Sequence, residues 1–193
     1  MKRLVVLFLM VTIISNLTCV TACTCTPSQD YASLITEAMA NGDYNQAKAY
    51  DELRTQKKEQ LGINDNFTFD NLLLLSKIVH CEAGSSWLTE EHRQLVASVV
   101  INRVNSSEFP NSIYNVIYQP GQYSPVGSGW IYSVVPSRAC VLSASKILAY
   151  GSIAPPDVVF QANFPQGSGT YKTIYDNYLG ATYFCYANNR HLY

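Results

Sequence analysis

The chain has 193 residues, enough for about one domain with an appendage and for a real hydrophobic core. Apolar residues make up 48% and charged residues only 14%, which excludes collagen-like, coiled-coil and disordered chains and leaves the surface to Tyr, Asn, Ser, Thr and Gln, a composition suited to neutral polar ligands. Lys plus Arg at 13 against Asp plus Glu at 14 gives a net charge of −1, too balanced to neutralise several phosphates, so nucleic acid is not expected as a partner.

Lys2 and Arg3, the apolar run Leu4 to Ile14 and the small-residue stretch ending at Ala22 follow the order of a secretory signal. The apolar core, about 11 residues, is shorter than the 18 or more of a spanning helix, so residues 1–22 are expected to direct export. Val20-Thr21-Ala22-Cys23 resembles the lipobox of bacterial lipoproteins. That resemblance implies acylation of Cys23 and a lipid anchor on the extracytoplasmic face of the membrane; plain cleavage after Ala22 is the alternative. Cys19 and Cys25 flank the site, and Cys23-Thr24-Cys25 is too tight for a metal site by itself.

Residues 23–65 read as an anchor and spacer with two short helices, Tyr31–Ala40 and Tyr44–Gln60, broken at Asn41-Gly42. Ala47, Tyr50 and Leu53 share one face, so the pair is a thin amphipathic hairpin, either a spacer or an integral part of the core. Residues 66–193 form the working domain. From Phe67 onward it holds seven basic and seven acidic residues and eleven of the fourteen tyrosines. Asp70 or Asn71 can cap a helix through Leu72, Leu75, Ile78, Val79 and Glu82, ended by Gly84; Thr89 can cap a second, Glu90–Asn105, buried through Leu95, Val96, Val99, Val100 and Val104. A short helix follows at Ser112–Tyr118 and a long one at Ser137–Tyr150, with Pro-, Gly- and Ser-rich loops between them. The period then changes: Asp157–Asn163 and Ala181–Tyr186 read as strands around the turn Pro165–Gly169. Helices first and a small sheet toward the C-terminus define an α+β, mostly helical class.

Glu82 is the leading candidate for chemistry. Three and four places after Val79 and Ile78, it falls on or beside the buried stripe, where lost hydration disfavours the carboxylate and raises its proton affinity, as a general acid requires. Alternatively Arg103 or Arg93 holds it as an ordinary ion pair. Cys81, Cys140 and Cys185 are odd in number, consistent with one disulfide and a thiol or with three small core residues. His80, Cys81, His92 and Cys140 include zinc and Cys–His types, but no ligand-spaced pair exists and adjacent helical residues point about 100° apart, so no metal is expected. Cys140, near a helix start, is the best candidate for a cysteine nucleophile, and a buried apolar Cys140 is the plainer reading. Trp87, Trp130 and the tyrosines could stack on sugars, although aromatics more often serve the core.

His80-Cys81-Glu82-Ala83-Gly84, Gln94 through Asn102-Arg103-Val104, Phe109-Pro110-Asn111 and the Gln119-Pro120-Gly121-Gln122-Tyr123-Ser124 loop resemble the SleB/CwlJ family of bacterial cell-wall hydrolases, over about 120 residues from Leu72 to Asn188. The resemblance implies a lysozyme-like fold, no cofactor, peptidoglycan as partner, and cleavage between N-acetylmuramic acid and N-acetylglucosamine as a lytic transglycosylase with one glutamate, which falls on Glu82. It implies substrate-binding roles for Gln122, Tyr123, Ser124 and Asn163. A hydrolase would need a second carboxylate, for which Asp157, Asp176 and Glu108 are available. Two features depart from the family: Gly84-Ser85-Ser86-Trp87-Leu88-Thr89 lacks a second acid, and Thr182 stands where the family has a histidine. A catalytically degenerate wall-binding lipoprotein, or a cysteine-dependent amidase, is the alternative function.

Overall fold

The structure, a computed structural model, describes residues 27–61 and 65–193; the expected signal and the Cys23 lipidation site lie outside these residues. Thr68, in an extended conformation, accepts the Asn71 N–H and starts helix α3 (Phe69–Ala83), following α1 (Pro27–Ala40) and α2 (Tyr44–Leu61). Thr68, rather than Asp70 or Asn71, is thus the cap: its hydroxyl satisfies an orphan first-turn donor, while Asp70 sits inside that turn. Helix α4 (Glu90–Asn105) starts at Thr89 as expected, with Glu90 and Glu91 at the positive end of its dipole.

The sequence predicts one buried face for α4, but the helix is central. It packs against α3, β1 (Val158–Ala162), α5 (Ile113–Ile117) and α8 (Arg138–Tyr150). Ala97, Ser98, Asn102 and Arg103 are therefore buried along with Leu95, Val96, Val99 and Val100, whereas Val104 is half-buried. The intervening loops contain two single turns, α6 (Ser124–Gly127) and α7 (Trp130–Ser133). Ser112 and Ser137 cap α5 and α8.

The sheet is antiparallel in the order β1-β3-β2, with β2 at Thr170–Asp176 and β3 at Gly180–Tyr186. Strand β2 escaped the sequence reading because it is an edge strand with mostly exposed side chains, so no apolar alternation marks it. Mostly helical with a small C-terminal sheet, the fold is α+β as expected.

Helices α1 and α2 do not stand off as a spacer. Ile35, Met39 and Ala47 are buried in the common core, Thr36 hydrogen-bonds Ser145 on α8 at 2.7 Å, and Arg138 of α8 pairs with Glu37 at 2.8 Å. On α2, Leu53, expected inward, is exposed, and Arg54 is buried instead. Its guanidinium lies over the Phe67 ring, donates to the Phe67 carbonyl and pairs with Asp65 at 2.6 Å, so a cation with a long apolar stem does the work of an aliphatic residue. Cys81, Cys140 and Cys185 are free thiols, the last two buried. Among the described residues no helix is long and apolar enough to cross a membrane.

Candidate active site

Glu82 lies in the last turn of α3, whose stop fixes its place. A Cβ at Gly84 would fall 2.2 Å from the His80 carbonyl oxygen, so only glycine lets the chain leave the helix this tightly. The Glu82 side chain is half-buried, and burial raises its proton affinity above the ordinary carboxylate range. Its hydrogen-bond partner is Gln161 of β1, whose Nε2 donates to Oε2 at a long 3.5 Å and partly offsets that rise.

Neither arginine considered for Glu82 holds it. Arg93 donates to the Ser85 carbonyl at 2.8 Å, and Arg103 donates to the Val159 carbonyl at 2.6 Å and to Gln122 Oε1 at 3.0 Å. Among the described residues, no ion pair involves Glu82. Arg103 is buried with the rings of Phe109, Tyr123 and Phe160 around it at 5.1, 5.7 and 5.9 Å, so aromatic faces and neutral oxygens carry its charge. It links β1, which carries Gln161, to the loop that carries Gln122 and Tyr123. Asn102 reinforces the link by donating to the Pro155 and Val158 carbonyls at 2.7 and 2.9 Å.

The loop itself is a turn set by its sequence. Gly121 takes φ 77° after Pro120, and the Gln122 N–H donates to the Gln119 carbonyl at 3.2 Å, the pattern of a type II turn. Tyr123 follows with its ring buried. Its phenol is pushed above its usual proton affinity by burial, with Arg103 opposing and the Glu82 charge adding to the rise, which places the hydroxyl within the field of that carboxylate. Tyr123 Oη and Gln161 Oε1 are both buried without a hydrogen-bond partner. Two orphaned polar atoms beside an unpaired carboxylate mark a place where polar ligand atoms can be received.

Ser124 is exposed as the first residue of α6, and Asn163 is exposed just past β1. Thr182 of β3 is half-buried on the sheet face that carries Gln161, since it pairs with Ile174 two places from the Gln161–Phe184 pair. Gln161 and the linking role of Arg103 are absent from the sequence reading; the available signal was a glutamine interrupting an otherwise apolar strand.

The cysteines and histidines of the rival constellations have their own surroundings. Cys140 Sγ lies 3.7 Å from His80 Nδ1, but Cys140 is 0% exposed and no peptide can reach it. Burial lowers the proton affinity of His80, and its Nδ1 accepts the Ser137 N–H at 3.1 Å. Burial also pushes the Cys81 thiol up to about 11, away from thiolate chemistry. Among the described residues no group of three His, Cys, Asp or Glu could hold a metal. A cavity of about 630 Å³ between α1, α2 and α8 has its charged residues paired off, Arg54 with Asp65, Glu37 with Arg138 and Lys146 with Glu90.

Residues 89–164, which include Arg103, Gln122, Tyr123, Ser124, Gln161 and Asn163 but not Glu82, match the Cell Wall Hydrolase family. The resemblance to the SleB/CwlJ family therefore holds. Among curated relatives, the spore cortex-lytic enzyme of Bacillus subtilis is 32% identical over 81 residues, 41% of this chain and 26% of that protein. The spore cortex-lytic enzyme of Bacillus cereus is 28% identical over 82 residues, 42% of this chain and 30% of that protein. The chain thus spans under a third of the length of these relatives. Among solved structures, the catalytic domain of the germination-specific lytic transglycosylase SleB from Bacillus anthracis aligns over 64% of this chain and 99% of its own, with a TM-score of 0.48 and 22% identity.

Proposed function

We propose that the chain is a peptidoglycan lytic enzyme that cuts the glycan strand between N-acetylmuramic acid and N-acetylglucosamine as a lytic transglycosylase, with Glu82 as acid and then base. The observation that carries this reading is a half-buried carboxylate of raised proton affinity with no ion-pair partner among the described residues and two orphaned polar atoms, Tyr123 Oη and Gln161 Oε1, in its neighbourhood. Protonated Glu82 gives its proton to the glycosidic oxygen as the bond from muramyl C1 breaks, and N-acetylglucosamine leaves as an alcohol. The muramyl C6 hydroxyl oxygen then bonds to C1, and its proton returns to Glu82, closing a 1,6-anhydro ring without water.

A single carboxylate is enough for this cycle, and the other acids considered have other partners. Asp157 is paired with Arg190, Glu108 Oε2 accepts the Tyr193 hydroxyl at 2.8 Å, and Asp176 accepts the turn N–H groups of Tyr178 and Leu179. Gln122, Tyr123, Ser124 and Asn163 supply the amides and hydroxyls that an N-acetylated sugar can use. The work is extracytoplasmic, after export by residues 1–22, with acylated Cys23 as the anchor. Mass spectrometry of the fragments released from purified peptidoglycan by the full chain and by Glu82→Gln tests the reading. Ends of 1,6-anhydromuramic acid from the wild type alone support it. Reducing ends would mean hydrolysis, and no release with retained binding would favour a degenerate wall-binding protein, for which Thr182 in the place of the family histidine is the motive.

A further inference from the structure

An exposed aromatic pair, one ring of it on the loop that follows Glu82, lies outside the chemistry above. Trp87 lies on the loop leaving α3, five residues after Glu82, and Tyr178 lies in the turn between β2 and β3. Their ring centroids are 5.4 Å apart with planes inclined at 55°, yet the two side chains are 56% and 83% exposed. Asp176 holds the turn that carries Tyr178 by accepting the Tyr178 and Leu179 backbone N–H groups, each at 2.9 Å.

The sheet face that carries Gln161 is covered in its middle by α4: Phe184 is fully buried edge-on against His92, and Lys172 pairs with Glu91. The exposed rings lie outside that covered strip. Trp87 arrives five residues after Glu82 and meets Tyr178 in the turn between β2 and β3, so a glycan strand that extends from Glu82 toward that turn meets aromatic surface. The rings offer flat, uncharged contact of the kind that stacks on the C–H face of a pyranose, and ordering them beforehand reduces the entropy lost on binding. The Asp176 carboxylate beside them favours a sugar without an acid of its own.

We propose that Trp87 and Tyr178 form a stacking subsite for an uncharged N-acetylated pyranose of the N-acetylglucosamine type, flanking the bond cut at Glu82, with Asp176 as the residue that holds the turn carrying Tyr178. This rests on the glycan-strand reading of Glu82 and adds a place and a preference to it. The chain has two tryptophans, so in the full-length Glu82→Gln, Trp130→Phe protein Trp87 is the only indole. Titration with tetra-N-acetylchitotetraose should produce a saturable change in Trp87 emission, and the glucose tetramer cellotetraose should not.

Calorimetric titration with the same tetrasaccharide should show affinity at least tenfold weaker in Trp87→Ala and in Tyr178→Ala, and close to wild type in Trp87→Tyr, which keeps a stacking ring. In the otherwise wild-type chain, Trp87→Ala should raise KM for glycan strands several-fold and leave kcat within about twofold. Unmoved Trp87 emission, equal response to cellotetraose, or full affinity in Trp87→Ala would overturn the subsite. If the wild type cleaves strands and Trp87→Ala matches it, the subsite falls and the Glu82 reading stands. If the wild type releases nothing, the Glu82 reading falls, and the tetrasaccharide titration decides the subsite alone.

Discussion

Two carboxylates sit near opposite ends of β1 in opposite circumstances. Asp157, just before the strand, is buried and paired with Arg190, while its backbone carbonyl accepts the Ala187 N–H at 2.7 Å. Glu82 meets the strand at Gln161 with a long hydrogen bond and, among the described residues, no ion pair, although the buried guanidinium of Arg103 serves the adjacent loop. The fold therefore has the means to neutralise a buried acid and uses them at one end only. A paired acid holds structure together, whereas an unpaired one keeps its proton available.

The comparison breaks most sharply at Glu82. Glu82→Gln should lower fragment release at least ~100-fold, the usual range for losing a general acid and base. Its thermal midpoint should not fall, because the neutral amide keeps the contact with Gln161 and removes a charge that burial disfavours. The pH dependence follows. With proton affinity raised by burial, the acid form of Glu82 persists above the ordinary carboxylate range, and kcat falls as pH rises through the shifted value. Stability moves the same way: ionising Glu82 in the folded protein is disfavoured, so the wild type loses stability relative to Glu82→Gln as pH rises from the ordinary carboxylate range through the shifted one, and below that range the two coincide. Unfolding of both proteins between pH 4 and 8 measures this.

Arg103→Met should affect both activity and stability, since it removes charged hydrogen bonds to the Val159 carbonyl and to Gln122. We expect a loss of about 3 kcal/mol in denaturant unfolding, with little rescue by Arg103→Lys, because an ammonium cannot reproduce the planar fork among three rings. Tyr123→Phe deletes an orphaned hydroxyl, so stability should hold while release falls roughly tenfold, the opposite of a packing residue. Smallest of all, Asp157→Asn should cost about 1 kcal/mol, because its partner Arg190 is half-exposed, and leave release per folded molecule unchanged.

The sequence made the long helices legible because their caps and apolar periods are local. Thr89, Ser112 and Ser137 bound their helices as read, and Glu82 could be set beside the buried stripe from its spacing to Ile78 and Val79 alone. Non-local facts were not available in that way. The centrality of α4 depends on what packs on its far side, β2 shows no alternation because it is an exposed edge, and the partner of Arg103 could not be guessed because it is a pair of neutral oxygens rather than an acid. Gln161 was hidden for the same reason: a glutamine in a strand gains meaning only when a helix from 79 residues earlier ends against it.

The seating of α1 and α2 bears on how the protein can be handled. A boundary near residue 66 looks natural from charge and tyrosine content, yet a cut there would strip α8 of Ile35, Met39 and Thr36 and would leave the Phe67 ring without its guanidinium cover. The fragment would present a newly wetted apolar strip and tend to self-associate. Recombinant production should accordingly start ahead of Pro27.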